Sequence, residues 1–339
     1  MAEAIFSLSR RDQTDALGVA ADRSGRPVHL LEKDLWVVWA LETLCAAPFG
    51  SHLIFKGGTS LSKAYNVIAR FSEDVDLTYD IRAIAPDLAK PGTDAIPANP
   101  SQEQKWTKVI RARLDDWAAK TVVPTLESRL AHISSAARVG VDGATVTVTY
   151  EPVATGTGYV RPVVLLEFGA RSTGEPSEPR AVTCDGAVHV PELVFPSATP
   201  ATMRPERTFW EKATAMHVFC LGGPLRGDDR LSRHWHDVVA LDQAGYATTA
   251  VANRALATTV ARHKNAFFRE KDAGGVSIDY VVAVGGNLQL VPERDRLTLL
   301  AADYERMVAD GLLFSTPPPF SALIDRSRDI QARVNAAAV

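Results

Sequence analysis

Lys56-Gly57-Gly58-Thr59-Ser60-Leu61-Ser62, followed by Arg70-Phe71-Ser72-Glu73-Asp74-Val75-Asp76-Leu77, is the stretch whose reading decides the fold. Just before it, His52 to Phe55 is a short apolar run ending at the glycines, which reads as a strand entering a tight turn. Residues 59–69 then put Leu61, Tyr65 and Ile68 on one helical face. Val75, Leu77 and Tyr79 alternate with Asp74, Asp76 and Thr78, the two-residue period of a strand. Strand, turn, helix and strand in that order predict an α/β (α+β) fold built on a small sheet.

The same residues carry chemistry. A strand alternates its faces, so Asp74 and Asp76 point the same way, about 6.5–7 Å apart at Cα. Carboxylates held about 5 Å apart repel by roughly 3 kcal/mol at an effective dielectric near 20. A divalent cation relieves that repulsion, and oxygen ligands suit Mg²⁺, or Mn²⁺, with phosphates and water completing the shell. Gly57 and Gly58 let backbone approach a ligand, the helix start offers N–H groups to phosphate oxygens, and Thr59, Ser60 and Ser62 add hydroxyls. The spacing is not that of a P-loop, because GGTSLSK lacks G-x-x-x-x-G-K-[ST].

Outward from this centre, apolar spacing from Leu30 to Cys45 predicts an N-terminal helix. Four prolines between 84 and 101 mark a loop, and a helix over 102–132 follows, bent at Pro124. Extended segments are expected at 144–150, 160–168 and 181–195. Helices are expected at 205–220, 229–243, 248–268, 290–312 and 318–336. The change of texture near Pro196 sets the expected domains: 1–196 α/β with N-terminal helices, and 197–339 mainly helical.

KGGTSLSK…RFSEDVDL, with ERTFWEK at 206–212 and SRHWHD at 232–237, resembles the AbiEii/AbiGii toxin family of nucleotidyltransferases, within the DNA polymerase β-like superfamily. The MenT toxins, which resemble the same pattern, add nucleotides to the tRNA 3′ end. The resemblance implies a polymerase β-like core with a small mixed sheet flanked by helices, a C-terminal helical domain, and a Mg²⁺-dependent toxin moving a nucleoside monophosphate from an NTP to RNA, most plausibly tRNA. It implies a separately encoded antitoxin as partner. It matches Ser72 and Asp74 to the S-x-D of the active site, makes Asp76 the second metal carboxylate, and matches Lys212 and Asp237 to the later Lys and Asp. Polymerase β-like enzymes usually carry a third carboxylate. Glu167, the one acid in the apolar run VVLLEF, fits that place as metal ligand and base, with Arg161 or Arg171 as the alternative partners.

The later motifs also have a physical reading. On a helix from Pro205, Thr208 and Lys212 share one face and Phe209, Ala213 and Met216 another. Lys212 then suits triphosphate oxygens, with a surface salt bridge as the alternative, and Arg207 adds a second cation. On the next helix Arg230, Arg233, His234 and Asp237 fall on one face, with Leu231, Trp235 and Val238 as the buried stripe. Asp237 is expected to hold Arg233 or Lys212, and Arg233 and His234 to meet phosphate or RNA. Together with Lys56, Gly57, Gly58, Thr59, Ser60 and Ser72, these form the expected nucleotide-binding set.

A net charge of −3 excludes a protein that coats nucleic acid everywhere but leaves a local basic cleft open. No apolar run reaches the roughly 20 residues needed to span a bilayer, and the N-terminus lacks the order of a signal peptide. Cys45, Cys184 and Cys220 are widely spaced and read as reduced thiols, so a cytoplasmic protein is expected. Two other readings keep the pocket and change its use. One is transfer to a protein side chain or small molecule; the other is a non-catalytic nucleotide sensor.

Overall fold

The computed structural model describes residues 3–338 except 73, 91, 134–135, 155–159, 223–229, 310–311 and 315. Glu73 of the motif, residue 229 and residues 310–311, near the expected ends of two helices, thus lie outside the described residues. The chain forms two compact units. One comprises Met1–Ala64, Glu73–Ala95 and Lys108–Thr202; the other comprises Tyr65–Ser72, Ile96–Thr107 and Met203–Val339.

The first unit is built on a mixed sheet. Its strands are β1 (Leu53–Lys56), β2 (Asp74–Tyr79), β3 (Arg138–Asp142), β4 (Thr145–Thr149), β5 (Val163–Gly169), β6 (Ser177–Pro179) and β7 (Ala201–Met203), in the order β3-β4-β5-β2-β1-β7-β6. The central pair, β2 and β5, is parallel, while β1 runs antiparallel to β2. Alternation decides which face is buried: Val75, Leu77, Val146, Val148, Val164, Leu166 and Phe55 are at most 1% exposed. Except for Val164, which lies between Val163 and Leu165, each sits one residue from a polar or charged neighbour on the opposite face.

Helices α1 (Arg10–Ser24) and α2 (Val28–Ala46) precede the sheet. A helix that is apolar on nearly every side must be enclosed, and Leu31, Leu35, Val38, Trp39, Leu41 and Leu44 of α2 are all buried. Trp117, at the end of α4 (Pro100–Trp117), meets Phe49, Tyr79 and Phe168 edge-on at 5.2, 4.6 and 5.1 Å.

The structure corrects several boundaries. Helix α3 (Gly57–Lys63) is shorter than expected, and Tyr65 and Ile68 lie beyond it. Its last residue is tied down: Lys63 Nζ lies 2.5 Å from both Asp34 and Asp185, and Asn66 soon afterwards takes a left-handed φ of 52°. The expected bend at Pro124 is a wide helical turn at Ala118–Val122, just before α5 (Val123–Leu130). Proline has no N–H to give its preceding turn, so the chain loosens there. The expected extended segment 181–195 is only in part extended: two-residue strands at Val182–Thr183 and Leu193–Val194 flank a 3₁₀ turn at Ala187–His189.

The second unit is largely helical: α6 (Pro205–Cys220), α7 (Ser232–Gln243), α8 (Tyr246–Ala252), α9 (Arg254–Phe267), α10 (Arg294–Ala309) and α11 (Phe320–Ala336). The helix expected over 248–268 is two, because Asn253 ends α8 and its side chain accepts from Leu256 N to start α9. Trp210 and Trp235 are fully buried, and both indole N–H groups donate to carbonyls, of Ala250 at 3.1 Å and Leu290 at 2.7 Å. That satisfies the one polar atom each brings into the core.

Candidate active site

In the sheet unit the pairing register assembles an acidic row. Asp76 on β2 is opposite Glu167 on the parallel β5 and opposite Lys56 on the antiparallel β1. Thr145 on β4 lies opposite Glu167, so one row across four strands reads Thr145, Glu167, Asp76, Lys56. Asp74, opposite Leu165, is two residues before Asp76 and therefore on the same face. Neighbouring strands lie about 4.8 Å apart, so Glu167 is closer to Asp76 at the backbone than Asp74 is. The pleat sends the apolar residues between them to the other side. Asp74 and Asp76 are half-buried, and Glu167 is exposed.

The glycine turn is shaped around this row. Gly57 has a φ of +79°, a conformation that suits glycine, and a Cβ built on it would lie 2.9 Å from Asp76 Cγ. The Asp76 carboxylate therefore rests directly on the Gly57 backbone, and a side chain at 57 would displace it. The expected hydroxyl donors are used differently. Thr59 and Ser60 are 1% and 0% exposed; Thr59 Oγ1 donates to the Asp74 carbonyl and Ser60 Oγ to the Gly57 carbonyl at 2.9 Å. They brace the turn against β2, because a hydroxyl buried beside a carbonyl is best satisfied there. Gly58 follows Gly57 in the first turn of α3, and Lys56 immediately precedes it, half-buried.

In the helical unit a second charged cluster is buried. Asp237 on α7 is 0% exposed. Arg70 grips it with both arms of its guanidinium, Nε to Oδ1 at 2.8 Å and Nη2 to Oδ2 at 2.7 Å. Lys212 Nζ lies 2.9 Å from Oδ2, and His236 Nδ1 lies 3.5 Å from Oδ1. Burial alone would raise the Asp237 pKa, but Arg70 and Lys212 outweigh it and hold the carboxyl well below its ordinary range. His234, one turn earlier, is pushed down to about 3 by burial and then by Lys212, against the pull of Asp237. It is neutral at ordinary pH, and its buried Nδ1 has no hydrogen-bond partner.

Arg70 is the residue that sequence reasoning missed. Asp237 was expected to hold Arg233 or Lys212; it does hold Lys212, but Arg70 takes both oxygens in place of Arg233. Arg70 and Asp237 are 167 residues apart, and local spacing offered Arg70 the nearer Glu73 and Asp74. Other expected site residues of this unit are buried. Arg207 is 3% exposed and donates to Glu211 at 3.0 Å, the i,i+4 pair that α6 permits. Thr208 is 2% exposed with an unpartnered hydroxyl, so it does not line an open face. Ser72 and Arg233 are half-buried.

The acidic row suits a hard divalent cation. Its carboxylates offer oxygen donors on one face, with Lys56 beside Asp76 in the row. Among the described residues no three His, Cys, Asp or Glu side chains form a ready coordination shell, so the three-carboxylate arrangement expected for Asp74, Asp76 and Glu167 is not pre-assembled. Mg²⁺ does not require one: one or two carboxylates suffice when phosphates and water supply the rest.

The α/β unit seats Asp76 on a glycine turn, and the helical unit ties Lys212 to the buried Asp237. Residues 39–326 match the family described as "Nucleotidyl transferase AbiEii toxin, Type IV TA system". The chain belongs to that family, and it is a nucleotidyltransferase toxin of a toxin–antitoxin system. No curated protein matches the chain. Among solved structures, MenT4, a nucleotidyltransferase toxin from Mycobacterium tuberculosis H37Rv, is 17% identical, with 98% of this chain and 100% of that chain covered at a TM-score of 0.38. No helix among the described residues is long and apolar enough to cross a membrane.

Proposed function

We propose that the protein transfers a nucleoside monophosphate from an NTP to an RNA hydroxyl, that of the 3′ end of tRNA, with release of pyrophosphate. The observation that carries this is the acidic row: Asp76 seated on Gly57, with Asp74 on the same face and Glu167 in register beside it. Asp74 and Asp76 would hold Mg²⁺, which when bound polarises the phosphoryl oxygens and orients the triphosphate. Glu167, exposed beside Asp76, accepts the proton of the attacking hydroxyl as the new P–O bond forms and the bond to pyrophosphate breaks. Gly57 and Gly58 let the backbone approach the phosphates without a Cβ in the way. Lys56 and Lys212 supply positive charge for the triphosphate, where most phosphoryl-transfer catalysis lies. Ser72, Arg233 and His234 complete the nucleotide contacts, and the partner antitoxin follows from the family's description.

Purified protein incubated with Mg²⁺, each α-³²P-labelled NTP in turn, total RNA and cell extract tests this directly. The expected result is label in a tRNA-sized band that requires Mg²⁺. Label on protein would overturn the acceptor and keep the chemistry; NTP binding without transfer to anything would leave a nucleotide sensor.

A further inference from the structure

We propose that Arg70 is a positioning residue for Lys212, acting through Asp237 to keep the lysine aimed and available to an NTP. The proposal rests on the reading of Lys212 as a triphosphate ligand.

The cluster has two full-time cations and one carboxylate. Arg70 and Asp237 are 3% and 0% exposed at their side chains, while Lys212 is 12% exposed. His234, held neutral, adds no charge. Lys212 is the most accessible of the three charged side chains.

Geometry explains why an arginine is needed. A lysine alone with a buried aspartate is a point charge with three rotatable donors, free to turn onto either oxygen. The planar fork of Arg70 occupies one lone pair on each oxygen and fixes the plane of the carboxylate. Lys212 meets Oδ2 alone, and among the described residues Asp237 is its only polar partner. Two of its three N–H groups are left for a substrate.

Arg70 can impose that plane because it is itself fixed. Its Nη1 donates to the Phe71 carbonyl at 3.1 Å. Phe71 N donates to the Leu312 carbonyl at 2.7 Å, Phe314 N to the Ala69 carbonyl at 2.9 Å, and Arg70 itself pairs with Leu313 as an antiparallel bridge. A residue needed only to neutralise Asp237 would not require this framing, since Lys212 is already there to do it.

The test is a double-mutant cycle read by NTP affinity, which needs no RNA acceptor. Binding of the non-hydrolysable α,β-methylene analogues of ATP, CTP, GTP and UTP with Mg²⁺ is measured by calorimetry for the full chain and for Arg70→Lys, Lys212→Met and the double variant. Circular dichroism checks the fold of each. Arg70→Lys keeps the charge and loses the fork, so the expected Kd rises about tenfold in the native background. In the Lys212→Met background it should change nothing further, because the residue acts through Lys212. Equal weakening in both backgrounds, or no weakening in a folded Arg70→Lys protein, would overturn the proposal. So would a Lys212→Met protein that binds as tightly as the native one, which also removes Lys212 from the triphosphate. If Arg70→Lys does not fold, Arg70→Gln, which also loses the fork, takes its place in the same cycle with the same expected coupling. Intact coupling with no transfer to RNA would sink the proposed acceptor and leave this role standing.

Discussion

The two charged centres of this protein are built on opposite principles. In the sheet unit, Asp74, Asp76 and Glu167 are kept together by strand pairing and left half-buried or exposed. In the helical unit, Asp237 is sealed from solvent and paired with both Arg70 and Lys212. The first gathers carboxylates at a surface; the second buries one carboxylate between two cations. Each is held by the element suited to it. A pleated face fixes spacing, and a packed helix bundle fixes orientation. The difference also separates function from stability: changes at the sheet should disarm the protein, and changes at the helical cluster should unfold it as well.

The largest effect should come from Asp74→Asn with Asp76→Asn. Transfer should fall by about 10³ or more, with the melting temperature kept or raised because two repelling carboxylates are gone. Joint loss of activity and fold would break the contrast. Asp237→Asn should do the reverse in kind. It removes the carboxylate that Arg70 and Lys212 share, and a stability loss of about 3–5 kcal/mol should appear in urea unfolding. Gly57→Ala lies between the two. The φ of +79° and the approach to Asp76 should cost about 1–3 kcal/mol in unfolding measurements, with transfer falling further than stability explains because the carboxylate is displaced.

The smallest effect sharpens the helical side. Burial pushes His217 down to about 4, and its Nδ1 accepts from Gln289 N at 3.0 Å. Its folded pKa lies below the unfolded value of 6.5, so its contribution is present above pH 6.5 and is lost as pH falls toward 4. His217→Asn keeps an acceptor and removes the titration, so the acid limb of a melting-temperature profile should flatten between those values. Glu32 works against this trend: burial raises it to about 7 despite hydrogen bonds from Val153 N, so its contribution is fullest below pH 4.5 and fades as pH rises through 7.

The same contrast explains what the sequence could tell. The acidic row follows from a two-residue period, and Asp74, Asp76 and Glu167 share their face because neighbouring strands keep register. Helix α6 could be placed from Pro205 to Cys220 by its spacing and its N-terminal proline. The helical cluster was only half legible. Lys212 and Asp237 announced themselves by motif, but their shared partner Arg70 lies in a segment whose local acids pointed elsewhere. The hydroxyls of Thr59 and Ser60 misled for a related reason: type and spacing suggest donors for a ligand, while burial commits them to the backbone. Local periodicity is written in the chain; the choice between distant partners is made by packing.

The most direct test of the central claim is the rate of pyrophosphate release with NTP, Mg²⁺ and tRNA for the native protein and for Asp76→Asn. The account predicts a release that needs tRNA, stops on chelation of the metal, and falls by about 10²–10³ in the folded variant. Equal release by native and variant protein would contradict it and move the chemistry away from the acidic row.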